Sequence, residues 1–475
     1  MSPIGRRRWR APGAPHASER TACHGELASL IRLAWPITLT QLGEIAIHTT
    51  DVMMIGRLGP NALAAGTLGA HYAMFLLLLG LGVAMAVQPL VAQARGARDI
   101  RGMRRYLRQG LWAGGAVALP IMLACAAGGP ALQALGQVPS TAGLAAGYLQ
   151  AVLWGVPGAL GFMALRGFVA AHGKPGPALA VMLAGVAANA GLNYLLIFGA
   201  FGFPRLELIG AGLGSSVVNT LMFVALAVSI ARHRRLGRYR VFARFWRPDW
   251  RRLRRVFAVG VPIGLTLICE VGVFAASTVM MGWLGPVALA AHGIAIQIAS
   301  VTFMVPLGVG LAATVRVGLA HGAGDAAGVR RAGLAAYGVG LVVMAGATVA
   351  LVAAPHAFIA LFLDLDEPAS AAVVPIAVDL LMMAALFQLV DGAQVIGVNV
   401  LRGLSDTRIP LLYAVAGYWG IGLATAWVLG FPLGYGGVGI WSGLAAGLGA
   451  VALLLAWRFR RLCRAAGPVY RPVAP

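Results

Sequence analysis

Glu44, Asp51, Glu270 and Asp391 each interrupt a long apolar run, where carboxylates are costly. Inside the hydrocarbon layer of a membrane a charged side chain costs at least ~2.5 kcal/mol, so acids kept there need a task. They can join helices through hydrogen bonds, or bind and release a cation or protons. Glu44 and Asp51 are seven residues apart, two turns on one helix face and about 10 Å along its axis. If Glu270 and Asp391 face each other they titrate as a coupled unit, one proton held more tightly than the other. Such a unit can exchange H+ or Na+ for a bulky organic cation without covalent chemistry. Asp379, twelve residues before Asp391 and so roughly 18 Å away along a helix, is expected near the rim. Asn189 and Asn193 share a helix face, Gln41 and His48 flank the first pair of acids, and Gln388 precedes Asp391 by three. His48 could relay protons. Tyr72, Phe75, Trp154, Phe274, Phe303, Phe387 and Trp427 are candidate cavity walls for flat cations.

The elements that position these residues are membrane helices. Mean hydropathy is +0.82 and only 11% of the 475 residues are charged, against roughly 25% in soluble domains. Twelve apolar spans fit, near 28–50, 63–88, 109–129, 141–165, 177–199, 209–231, 257–281, 290–315, 331–354, 371–400, 410–430 and 437–458. Runs this long exclude a β-barrel. Arginines gather in alternate loops: Arg95 to Arg108, eleven between Arg232 and Arg255, then Arg330, Arg331, Arg402, Arg408, Arg458, Arg460, Arg461 and Arg464. The positive-inside bias places both termini in the cytoplasm and explains the net charge of +22 as topology and attraction to anionic lipid. Nucleic acid is not an expected partner. The four cysteines are scattered and form no metal or disulfide pattern. Arg6, Arg7, Arg8 and Arg10 precede no apolar core, so the first residues read as a basic tail rather than a cleaved signal. No GxxxxGK[ST] occurs, so ATP is not an expected energy source, and no enzymatic reaction or cofactor is implied.

The chain is also a repeat. LAWPITLTQLGEIAIHTTDVMMIGRLGPNALAA from Leu33 returns as VGVPIGLTLICEVGVFAASTVMMGWLGPVALAA from Val259, 226 positions later and without a gap. Glu44 falls over Glu270, Gly96 over Gly322 and Asp99 over Asp325, whereas Asp51 falls over Ser277. LRG at Leu165 returns at Leu401, which sets Gly155 opposite Asp391. Two halves of six helices each start on the same side, so they relate by an axis along the membrane normal, with a substrate path between them. The expected organisation is a basic tail 1–25, a first lobe 26–231, an arginine-rich linker 232–256, a second lobe 257–460 and a tail 461–475.

At this point the acids and their surroundings resemble the MATE family of multidrug and toxic compound extruders, in its NorM-like branch. The segment DVMMIG from Asp51 is similar to the family's N-lobe carboxylate motif, and QPLVAQARGARD resembles its second-helix end. NAGLNYLLIFG looks like its asparagine pair, Glu270 matches the C-lobe acid and FQLVDGAQVIGVNVLRG its tenth-helix acid. The resemblance covers about residues 25–460 and implies an all-α polytopic membrane protein, twelve helices in two pseudo-symmetric six-helix bundles set in a V. It further implies an antiporter of a bacterial inner membrane that expels organic cations or hydrophobic drugs, confers antibiotic resistance and works as a monomer among lipids. By that likeness Glu270 and Asp391 form the cation site, holding Na+ if sodium is the coupling ion. Asp51 adds an N-lobe site, supported by Glu44, Asn189, Asn193 and Gln388, with Gln41, His48, Phe274 and Phe387 in the substrate cavity. The family often carries Tyr four residues before the tenth-helix acid. Here Phe387 stands there, and Glu44 is an additional acid. A lipid-linked oligosaccharide flippase shares the architecture, but it would need a more cationic cavity than in-span charges that are mainly acidic.

Overall fold

A computed structural model describes residues 19–234, 236–239, 241, 245–364, 367 and 370–465. The arginines expected to form a basic tail, Arg6 to Arg10, lie outside them, as do Arg235, Arg240 and Arg244 of the linker and Asp366. Among the described residues there is no strand. The helices that matter are α1 (Glu19–Gly56), α2 (Pro60–Gly96), α3 (Ile100–Ala126), α4 (Pro139–Ala171), α5 (Gly176–Phe198) and α6 (Glu207–Arg232). The second six are α7 (Trp250–Trp283), α8 (Pro286–Gly322), α9 (Ala326–Ala353), α10 (Val373–Gly403), α11 (Arg408–Gly430) and α12 (Gly436–Ala465). Among the described residues eleven helices are long and apolar enough to cross a membrane. The exception is α1, whose apolar run is diluted by Glu26, Arg32, Glu44, His48 and Asp51.

The helices outrun the apolar spans. α1 begins at Glu19 rather than near residue 28, and α4 continues to Ala171 rather than 165. Hydropathy marks only the stretch that lipid tails demand, while hydrogen bonding carries a helix on into the headgroup layer, where polar side chains are cheap.

The repeat is visible in the backbone. Gly59 and Gly285 take φ of 107° and 112°, which Cβ-bearing residues avoid, and each is followed by a proline that starts the next helix. Asp99 accepts from the Gly102 amide at 2.8 Å to cap α3, and Asp325 accepts from the Gly328 amide at 2.7 Å to cap α9.

The two halves meet through α1 against α8, α2 against α7, and α2 against α8. A Cβ at Gly96 would overlap the Leu319 carbonyl, and one at Gly322 would overlap the Gln93 carbonyl. These are the same contact seen twice, related by the 226-residue offset, so the pseudo-twofold axis passes between α2 and α8 at this end. Hydrogen bonds cluster here too. Gln88 Nε2 donates to Leu311 O at 2.9 Å, and Gln93 Nε2 donates to Gly403 O at 2.8 Å and to Ser405 Oγ at 2.9 Å. Arg316 grips Glu26 with two bonds of 2.7 and 2.5 Å. The closure lies at the arginine-rich end, and the central cavities lie beyond it toward the opposite face.

Candidate cation and substrate site

Asp51 of α1 is buried in a nest of donors. Asn189 Nδ2 and Asn193 Nδ2, one turn apart on α5, donate to Oδ1 at 2.7 and 2.6 Å. Ser215 of α6 donates to Oδ2 at 3.1 Å. Both asparagines are fully buried. Ser215 escaped the sequence reading because it sits in a glycine-rich helix start that looked like packing alone. Asp51 and Ser215 line a cavity of about 410 Å³, together with Gln41, Glu44 and His48, and the two asparagines hold Asp51 from behind.

A second cavity, of about 390 Å³, is lined by Glu270, Phe274, Phe303, Phe387 and Asp391, with Gln41 and Glu44 shared by both. The structure therefore brings Glu270 of α7 and Asp391 of α10 to one chamber, where Asp391 lies within reach of the Glu270 charge. Phe274 and Phe387 meet edge to face with centroids 6.0 Å apart, a flat apolar wall beside the acids. Gln388 is buried and lines neither cavity, with neither amide atom hydrogen-bonded. Asp391 Oδ1 and Gln394 Oε1 are likewise buried without partners. Such oxygens suit a hard monovalent cation or a proton. Among the described residues no group of three His, Cys, Asp or Glu side chains could hold a metal, so any metal ion here would also need amide or hydroxyl oxygens.

Two expectations change. The aromatic set divides: Phe274, Phe303 and Phe387 line the chamber, but Phe75, Trp154 and Trp427 are exposed and line neither cavity, and the Tyr72 hydroxyl is spent on Ala124 O at 3.3 Å. Charge alone could not tell an inward from an outward face. The chamber is also less acidic than the sequence suggested: Glu44, Glu270 and Asp391 share it with two arginines. Arg402, counted among loop arginines, is buried in α10 and lines the chamber. Arg166 of α4 lines it as well and donates to Glu44 Oε1 at 2.7 Å. The two arginines occupy equivalent places in the LRG repeat, as Glu44 and Glu270 do in theirs. Each half thus sets an acid near an arginine, closed as an ion pair in the first half and only within electrostatic reach in the second. The repeated LRG motif carried this information, but its nearness to loop residues disguised it.

The ion pair is asymmetric: the Arg166 side chain is 9% exposed and that of Glu44 is 36%. E44M leaves a buried guanidinium without its counter-charge, whereas R166M leaves a carboxylate that still faces the cavity. Stranding the buried partner costs more. We expect E44M to lower the melting temperature in detergent by more than R166M, and the reverse order would contradict this geometry.

The profile of the MatE family matches residues 36–195 and 262–428, two stretches that begin 226 residues apart. The chain belongs to the MatE family. Similar curated relatives include a probable multidrug resistance protein NorM of Mesorhizobium japonicum, 46% identical over 446 residues that cover 94% of this chain and 96% of the relative. Another protein of that name, from Rhodopseudomonas palustris, is 47% identical and covers 96% of each chain. This MatE chain is therefore NorM-like. It is similar in fold to the crystal structure of the eukaryotic MATE transporter AtDTX14, with a TM-score of 0.83 at 21% identity over 94% of this chain and 98% of the other. It is similar also to an outward-facing multidrug resistance MATE family transporter, with a TM-score of 0.82 at 18% identity over 93% and 97%. The chain is a multi-pass membrane protein.

Proposed function

We propose that this chain is a multidrug efflux antiporter of a bacterial inner membrane, exporting organic cations or hydrophobic drugs in exchange for Na+ or H+. The observation that carries the reading is one chamber in which Glu270, Asp391, Phe274 and Phe387 come together. An acid pair that holds either the coupling cation or a cationic drug makes the two compete, and competition is what an antiporter needs. The names of the NorM relatives support drugs as cargo, and the flippase alternative is not favoured even with Arg166 and Arg402 in the chamber. The arginine-rich end faces the cytoplasm in this reading, so both termini are cytoplasmic and the structure is the outward-open state. Residues 26–231 and 257–460 then rock as two lobes about the contacts near Gly96 and Gly322. Only a ligand that binds the two states unequally can drive such a cycle.

Purified protein in liposomes, loaded with a fluorescent cationic dye and given independent Na+ and pH gradients, tests this. Dye should move against its gradient when either an inward Na+ or an inward H+ gradient is imposed. Equal dye flux with every ion gradient collapsed would end the antiport reading.

A further inference from the structure

The two cavities adjoin. Gln41 and Glu44 of α1, Met74 and Leu81 of α2, Met163 of α4 and Met304 of α8 line both of them. These side chains form a waist, and half of them are methionines. None of the three methionines is buried, and Met74 is 39% exposed. Methionine is unbranched and polarisable, so it swings aside and repacks around a guest at little cost. A waist of β-branched residues would be stiff.

Charge is laid out about this waist in a way that suits one kind of cargo. At the waist Glu44 is closed by Arg166, whose Nη2 also donates to Met163 Sδ at 3.2 Å, so the pair is neutral and steadies one methionine. In the first cavity stands Asp51. In the second, Arg402 offsets Glu270 and leaves the charge of Asp391, one of whose oxygens has no partner. Counting histidine as neutral, each cavity carries one formal negative charge, and the passage between them is apolar and neutral. The three donors on Asp51 do not bar a guest, because a quaternary ammonium needs an opposing charge rather than a lone pair.

We propose that Met74, Met163 and Met304 let a single cargo molecule span both cavities, and that the tract selects bis-cations, two ammonium groups joined by a long apolar spacer, over monocations. This rests on the export reading above and deepens it by naming a cargo class and the residues that select it. Asp51 lies two turns along α1 from Glu44, about 10 Å away. A cargo whose charges stand closer than that cannot pass the waist and reach an acid on either side.

The test is calorimetric binding to the protein in lipid nanodiscs, with no ion gradient and three probes. Decamethonium has two quaternary ammonium groups on a long chain, hexamethonium has two on a short chain, and decyltrimethylammonium has the long chain with one. Wild type is expected to bind decamethonium about tenfold more tightly than either of the others, a difference of about 1.4 kcal/mol. D51N and D391N should each erase that advantage, since each removes one end of the bridge. M74I/M304I should erase most of it, because β-branched side chains hold the waist at one width. Should that variant fail to fold, M304I alone carries the same expectation. Equal binding of decamethonium and decyltrimethylammonium would overturn the proposal, since the second charge would then meet nothing. An advantage that survives M74I/M304I would overturn the methionines as selectors, and one lost in D391N but kept in D51N would confine the cargo to one cavity. The antiport reading is read separately: ion-driven dye export without a decamethonium advantage leaves it standing and sinks the spanning tract, whereas the advantage without ion-driven export does the reverse.

Discussion

In vesicles, E270Q and D391N are each expected to cut cation-driven dye export by about a hundredfold, because loss of one partner of a buried charge interaction is worth roughly 2–5 kcal/mol and each 1.4 kcal/mol is a factor of ten. Both variants should still insert and fold. Asp391 carries an oxygen with no hydrogen-bond partner in the protein, so little structure depends on its charge, and an amide of similar shape costs less to bury than a carboxylate. The readouts are the initial rate of dye accumulation under an imposed gradient, and the melting temperature in detergent. Loss of export together with loss of fold would make the acids structural. Wild-type export by both variants would remove them from the mechanism. Asp51 differs in kind: three donors already satisfy it, so D51N should cost more stability than D391N.

The second large effect concerns the closed end. Valine at Gly322 would drive its side chain into the Gln93 backbone, which no rotamer change relieves. Overpacking of this kind costs about 1–3 kcal/mol. The contact joins α8 to α2, and so one half to the other. The cost therefore falls on the state in which this end is shut, rather than on the folding of either half. G322V is expected to shift the equilibrium toward the state open at the arginine-rich end by roughly five- to 150-fold. Spin labels placed across that end should report longer distances, and Gly96→Val should do the same by symmetry. If distances hold and melting falls instead, the two halves do not separate there. The shift should slow export, since a carrier must visit both states.

Much of this was legible in the chain. The gapless 226-residue repeat aligned Asp99 with Asp325 and Gly96 with Gly322, and the structure turns these into paired caps and paired crossings, because local hydrogen bonding and small-residue packing are written in short motifs. The acids stood out because hydrocarbon makes them costly. Helical spacing put Asn189 and Asn193 on one face, while their pairing with Asp51 came only from the likeness to the family. What was hidden depends on how helices turn toward one another. Arg166 and Arg402 sit near loop arginines in sequence, and hydropathy cannot say which of them points into the protein. The aromatic wall divided for the same reason, since a phenylalanine is equally at home against lipid or lining a cavity.

The closed pair of Glu44 and Arg166 has one more consequence. A carboxylate that travels with its own guanidinium carries no net charge, so when the helices around it move, the membrane voltage does no work on it. Voltage is worth roughly 2.3 kcal/mol per elementary charge per 100 mV, and that lever acts only on charges without such an escort. The electrical cost of a turnover is then set by the remaining acids and by what they carry. Breaking the Glu44–Arg166 pair would add a charge to that reckoning, and a carrier so altered would answer differently to an imposed potential.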